Sequence, residues 1–188
     1  MDELVQLYDG QGRPIPGKGG TKDQIYGGIL HGSAHVWIYR KVNGQTELLL
    51  QKRAKDKQTW PERYDISAAG HVDLGEDPLL TALRETKEEI GLDIKESDLY
   101  CIGLHRAYMV SPAKLIDNEF QWVYLLKLEK EFDFKLQVEE VESLEWMTLK
   151  QFEQEIKENH ITKKYVPHSE PYFGNLINAI KRESGFFS

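Results

Sequence analysis

The chain has 188 residues, 40% of them hydrophobic and 29% charged, and a formal net charge of −7. That length suffices for one domain with a full core, and the acidic balance excludes a general binder of nucleic-acid polymers, which needs a basic footprint. The single cysteine, Cys101, excludes an intramolecular disulfide. The N-terminus carries no basic-then-apolar leader pattern, and no apolar run approaches membrane-spanning length, so the expectation is a cytoplasmic protein without a membrane partner.

Residues 3–8 alternate like a short strand, and Asp9-Gly10-Gln11-Gly12 supplies a turn. Residues 13–30, rich in glycine and polar side chains, read as an irregular connection. Ala34 to Val42 and Glu47 to Lys52 read as paired strands joined through Asn43-Gly44, a strong hairpin signal. A basic loop follows, with Lys52, Arg53, Lys55, Lys57 and Arg63 around Trp60-Pro61; a short strand over residues 65–69 leads out of it. Residues 99–110 and 118–128 predict two long strands, and 141–147 a shorter one. Thr148 caps a helix to Asn159 with Phe152 and Ile156 inward. A linker at 167–171 precedes a last helix over 172–181 with Phe173, Leu176, Ile177 and Ile180 on its apolar side. Trp37, Trp122, Trp146 and Cys101 are expected in the core, and nothing indicates a second domain, so residues 1–188 read as one unit, with residues 160–188 its C-terminal linker and helix.

The most informative stretch lies between those strands. Asp77 is a good helix N-cap, Pro78 fits the first turn, and Gly91 is a natural C-terminal stop. Leu79, Leu83, Thr86 and Ile90 fall on one stripe, which leaves Glu85, Glu88 and Glu89 projecting from roughly the opposite side. Carboxylates three and four apart repel by about 0.2–0.5 kcal/mol per pair. A solvated acidic face is the ordinary explanation of such a run. Here, however, the acids sit at the helix end where the macrodipole disfavours negative charge. A hard divalent cation would convert the repulsion into binding, because Mg²⁺ takes carboxylate and phosphate oxygens.

Gly70, five residues, Glu76, seven residues, Arg84-Glu85, two residues, Glu88-Glu89, one residue, then Gly91-Leu92 resembles the complete Nudix box, with Thr86 where that family usually has an aliphatic residue. The resemblance implies an α/β Nudix fold: an α/β/α sandwich with a mixed central sheet and a loop–helix–loop metal site at residues 70–92. It assigns Glu85, Glu88 and Glu89, with the Gly70 carbonyl, to Mg²⁺ or Mn²⁺, and gives Glu76, Arg84 and Gly91 structural parts. It further implies hydrolysis of a small-molecule diphosphate by metal-activated water, with nucleoside diphosphates linked to another moiety as the leading substrate class. Nudix proteins are often homodimers, and residues 3–8 or the C-terminal helix are candidate interfaces.

Outside the box, Glu119 opens a strand and is a candidate second metal ligand or base, while Glu139 and Glu140 are weaker candidates. Arg53 and Lys52 are the cations best placed to bind phosphate, Trp60 and Tyr64 are candidates to cover a base or an apolar group, and His35 and His71 are candidates to bind substrate that, with Glu119, also make a nitrogen–oxygen set suited to a metal. His35, Gln51-Lys52-Arg53-Ala54, Thr59-Trp60-Pro61, Gly70-His71 and Asn118-Glu119 are also similar to the isopentenyl-diphosphate isomerase branch of the same superfamily. Those isomerases need a cysteine just before Gly-His; this chain has Ala69, which transfers no proton. The expectation is therefore an isomerase-like scaffold that hydrolyses, with isomerisation and non-catalytic nucleotide sensing as the alternatives.

Overall fold

A computed structural model describes residues 4–185. Its strands are β1 (Val5–Tyr8), β2 (Pro14–Gly20), β3 (His31–Val42), β4 (Gln45–Arg53), β5 (Tyr64–Asp65), β6 (Ala68–His71), β7 (Leu99–Val110), β8 (Ile116–Lys127) and β9 (Val141–Thr148). Its helices are α1 (Lys22–Tyr26), α2 (Pro78–Ile90), α3 (Leu149–Lys157), α4 (Asn159–Thr162) and α5 (Glu170–Glu183). Glu3, the first residue of the expected N-terminal strand, lies outside the described residues, as do residues 1–2 and 186–188.

The long strand β3 organises the sheet. It pairs antiparallel with β4 and β6 and parallel with β8, so the sheet is mixed. Strand alternation then sorts its side chains. Ala34, Val36 and Ile38 pack with Ala82 and Ile90 of α2 on one face. Trp37 and Tyr39 pack with Phe152 of α3 and with Tyr172, Phe173 and Leu176 of α5 on the other. Each such large apolar side chain contributes on the order of 1.5–3 kcal/mol by burial. The two clusters make the expected helix–sheet–helix sandwich. The β3–β4 hairpin turns through Asn43 (φ 49°) and Gly44 (φ 79°), the two left-handed positions that an Asn-Gly turn supplies.

Several local expectations are corrected. Residues 13–30 are not an irregular connection: they hold β2, paired with β1, and the short helix α1. Proline and glycine in Pro14–Gly20 conceal a strand that forms because β1 supplies its ladder. The expected strand at 65–69 is split into β5 and β6. Cys101 is exposed; among the described residues β7 pairs only with β8, at the edge of the sheet. Trp37 is fully in the core, but Trp122 and Trp146 are only half-buried, the latter under the Arg40 guanidinium at 4.0 Å. Among the described residues, no helix is long and apolar enough to cross a membrane.

Candidate functional site

The turn from β6 into α2 is built by local chemistry. Asp77 accepts from the Leu79 amide at 2.8 Å, Pro78 occupies the first turn, and Gly91 ends the helix at φ 73°, its N–H donating to Lys87 O. Glu76 and Arg84 then tie the loop to the helix by a two-pronged pair, Nε to Oε1 at 3.1 Å and Nη2 to Oε2 at 3.0 Å. Thr81 Oγ1 donates to Glu76 at 2.6 Å, and Arg84 also reaches the His71 carbonyl. Glu76, Arg84 and Gly91 thus occupy structural positions.

The three remaining acids of the helix differ sharply. Glu88 is half-exposed, whereas Glu85 is mostly covered and also pairs with Arg84 at 2.7 Å. Glu89 does not project outward as the helical spacing suggests. It is 4% exposed, and its Oε2 accepts from Gln51 Nε2 at 2.9 Å and from the Ala69 amide at 3.0 Å. Burial, followed by the charge of Glu89, pushes the Glu85 carboxyl up to about 7. A methyl group at Gly70 would land within the Glu85 carboxylate, so glycine here is what lets that acid lie against the β6 backbone. Crowded, partly desolvated oxygens beside a close-approaching backbone fit a hard divalent cation.

A second cluster faces the same cavity. His31, His71, Asp117 and Glu119 offer ligand atoms within 4.8 Å of one another. The parallel register sets His31 beside Glu119. His31 Nδ1 donates to Ile29 O at 2.9 Å, and its Nε2 lies 3.3 Å from Asp117 and 3.7 Å from Glu119; burial lowers its pKa, but the Asp117 carboxylate and the charge of Glu119 outweigh burial and raise it, so a metal bound here would displace a proton from Nε2. Burial, then the neighbouring His31, hold His71 down to about 3. Burial and then Asp117 push Glu119 up to about 7. Two imidazoles and two carboxylates suit Mn²⁺ or a similar transition ion better than Mg²⁺ alone.

Glu85, Glu88 and Glu89 of the first cluster and His71, Asp117 and Glu119 of the second line one cavity of about 520 Å³, to which Lys22, Arg53, Lys57, Tyr26, Trp60 and His168 also contribute.

Comparison with known proteins accords with this geometry. The family model "NUDIX domain" matches residues 31–168. The chain belongs to the Nudix family. It is 33% identical over 144 residues to an uncharacterized Nudix hydrolase of Clostridium acetobutylicum, covering 76% of this chain and 68% of that one. It is 33% identical over 163 residues to Nudix hydrolase 3 of Arabidopsis thaliana, covering 82% of this chain but only 20% of the length of that relative. Isopentenyl-diphosphate Delta-isomerase 2 of Photorhabdus laumondii is 30% identical over 149 residues, 79% of each chain. Among solved structures, DR0079 of Deinococcus radiodurans superposes with a TM-score of 0.66 at 17% identity, covering 96% of this chain and 98% of that one, a likeness of fold.

Within this Nudix chain, Gly70, Glu85, Glu88, Glu89, Glu119, His35, His71, Arg53 and Trp60 all line the cavity. Lys52 does not: it points away to an ion pair with Glu142 at 2.8 Å. Tyr64 is also elsewhere, its hydroxyl on Glu145. Arg53 is largely spent on structure, since its Nε and Nη2 donate to Thr59 O and its Nη1 to Asp65. Lys57 in the same loop is half-buried and paired with Glu140; burial, then Arg53, bring it down to about 8. Trp60 is packed under the Arg63 guanidinium at 4.6 Å and offers little free ring face. His35 has both nitrogens occupied, by Ser33 Oγ and Tyr172 Oη, so it belongs to the wall and not to the metal set, where His31 takes its place. Glu139 is exposed, while Glu140 lines the cavity.

The sequence reading missed Asp117 as a potential ligand, although Asp117 and Glu119, two apart on a strand, share a face. It also missed Asp65, which accepts from Arg53 and lies 3.0 Å from His168 Nε2. Burial would raise this carboxyl, but the His168 hydrogen bond and the His168 and Arg53 charges hold it at about 2. A carboxyl below its unfolded value stabilises the fold above about pH 4, and that stability is lost as pH falls toward 2. The stability gap between wild type and Asp65→Asn should therefore shrink by about 1–2 kcal/mol between pH 5 and pH 2, read by denaturant unfolding. A gap independent of pH would show that Asp65 is not held in this way.

Proposed function

We propose that this protein is a metal-dependent hydrolase of a diphosphate bond, acting on a nucleoside diphosphate linked to another moiety. The observation that carries this reading is the convergence of Glu85 and Glu89 on the β6 backbone at Gly70 and Ala69, in a cavity also lined by His71, Asp117 and Glu119 of the second set. Glu85, Glu88 and Glu89 would hold Mg²⁺ or Mn²⁺ with the Gly70 carbonyl, and the second set would take a further ion. Bound there, divalent metal neutralises diphosphate charge and activates water. Gln51 and the Ala69 amide aim Glu89, Arg84 keeps Glu85 in place, and Lys57, a cavity cation here paired with Glu140, would exchange that pair for a substrate phosphate.

Isopentenyl-diphosphate isomerisation is the second reading, favoured by the similarity to the Photorhabdus enzyme. Against it, Ala69 has no titratable group, and its amide is engaged in holding Glu89. A panel of nucleotide sugars, dinucleotide polyphosphates, coenzyme A, NAD, ADP-ribose and isopentenyl diphosphate, each with Mg²⁺, Mn²⁺ or chelator, decides between them. Metal-dependent release of phosphate products from one class is the expected result. Deuterium uptake from heavy water into isopentenyl diphosphate, without hydrolysis of any compound, would replace this reading with the isomerase.

A further inference from the structure

The loop from Val72 to Glu76 finds its backbone partners in strand β1. Gln6 N–H donates to Val72 O and Leu74 N–H to Leu4 O, each at 2.7 Å, and Val5 bridges to Asp73. The Gln6 side chain completes the attachment. Its Oε1 accepts from the Gly75 amide at 3.1 Å, and its Nε2 donates to Leu7 O at 2.9 Å and to Ile15 O of β2 at 3.0 Å. These partners fix which end of the side-chain amide is which, because carbonyl oxygens meet its nitrogen and an N–H meets its oxygen. Gln6 is 4% exposed, so bulk water does not compete for these bonds. Gly75 turns the chain at φ 83°, and Glu76 is the next residue. From Glu76 the contacts run on to Arg84 at 3.0 and 3.1 Å, and from Arg84 to Glu85 at 2.7 Å and Glu88 at 3.2 Å. Strands β1 and β2 lie outside residues 31–168, the span of the family model.

We infer that Gln6 is a positioning residue for the box acids: with β1 it pins Gly75, and so sets where Glu76 holds Arg84 and where Arg84 holds Glu85 and Glu88. The span shared with the family supplies the acids, and the N-terminal hairpin of this chain supplies the seat for their loop. A buried glutamine is a costly choice for mere packing, since an apolar side chain fills the same place with no polar group to satisfy. All the side-chain bonds of Gln6 go to backbone, and only the one to Gly75 leaves the hairpin.

The inference rests on the reading that the box acids hold a metal, but not on hydrolysis, and it is tested without substrate. Mn²⁺ is titrated into the full chain, and the bound ion is sorted by pulsed electron paramagnetic resonance. Nitrogen hyperfine coupling marks ion held by histidine, and its absence marks ion held by the oxygens of the box. Partners of metal ligands are typically worth 10–100-fold in affinity, so Gln6→Leu, which removes both polar ends, should weaken the oxygen-only site by about 10-fold. The nitrogen-coupled site should be unchanged, whereas a general loosening of the fold would weaken both. Glu76→Ala should weaken the same oxygen-only site, and Gln6→Leu added to it should cost little more, because both act along one path. Thermal unfolding checks that each variant is folded; if Gln6→Leu is not, Gln6→Met, which keeps the length and lacks the amide, decides. Wild-type affinity at the oxygen-only site in the folded variant, equal losses at both sites, or fully multiplicative losses in the double variant would each overturn the positioning role. No oxygen-only site in the wild type would overturn it together with the assignment of the box acids to metal. Absent hydrolysis with this binding pattern intact would overturn the proposed activity alone.

Discussion

Replacing Glu89 by glutamine is expected to lower diphosphate hydrolysis by about 10³-fold while leaving the protein folded. Metal stabilisation of a transition state is worth several kcal/mol, and each 1.4 kcal/mol is about tenfold in rate. Glutamine retains a carbonyl oxygen that accepts from Gln51 Nε2 and from the Ala69 amide, so both hydrogen bonds of Glu89 survive. The substitution also removes a buried charge beside Glu85, whose own carboxyl that charge helps to push up. Stability should therefore be unchanged or slightly raised as activity collapses. Steady-state rates with saturating Mg²⁺, together with a thermal melt, check both halves. Near-wild-type turnover would remove Glu89 from the machinery.

Gly70→Ala is expected to cost about 10²–10³-fold in rate for a different reason. The added methyl meets the Glu85 carboxylate and its Cγ, not backbone. The far end of a glutamate can swing away, so the fold accommodates the change. The price falls on the site, because Glu85 then leaves the position beside the β6 carbonyl and drags on its pair with Arg84. A control is available in Gly44→Ala. Nothing lies within 4 Å of a methyl there, but its φ of 79° strains any other residue, so that variant should lose stability and keep activity. If Gly70→Ala instead unfolded the protein with its residual activity intact per folded molecule, the glycine would be architectural only.

The box was legible in the sequence because its chemistry is local. A cap, a proline, a terminal glycine and acids at fixed helical spacing all act within a few turns of one another. The hairpin at Asn43-Gly44 and the strand over residues 99–110 were legible for the same reason. Glu89 was misjudged because helical spacing orders the residues around an axis without saying which neighbours close over them. Here Gln51 of β4 and the amide of Ala69 in β6 do so. The metal set illustrates the same limit on a strand. His31 and His35 share one face of β3 by alternation, and only the parallel register, His31 against Glu119 and His35 against Val123, selects the first. Lys52 and Arg53 are adjacent in a strand and therefore point to opposite faces, which puts one on Glu142 and the other in the cavity. Strand β2 was invisible because its prolines and glycines oppose the strand propensity that pairing with β1 overrides.

In the proposed reaction, water attacks phosphorus in the cavity that both acid clusters reach. Turnover of the best compound of the panel in oxygen-18 water, with Mg²⁺ or Mn²⁺ and followed by mass spectrometry of the products, tests it most directly. We expect one labelled oxygen on one of the two phosphate-bearing products, and none when chelator is present. Turnover without label in any phosphate product would contradict the account and leave chemistry at carbon as the reaction of this site.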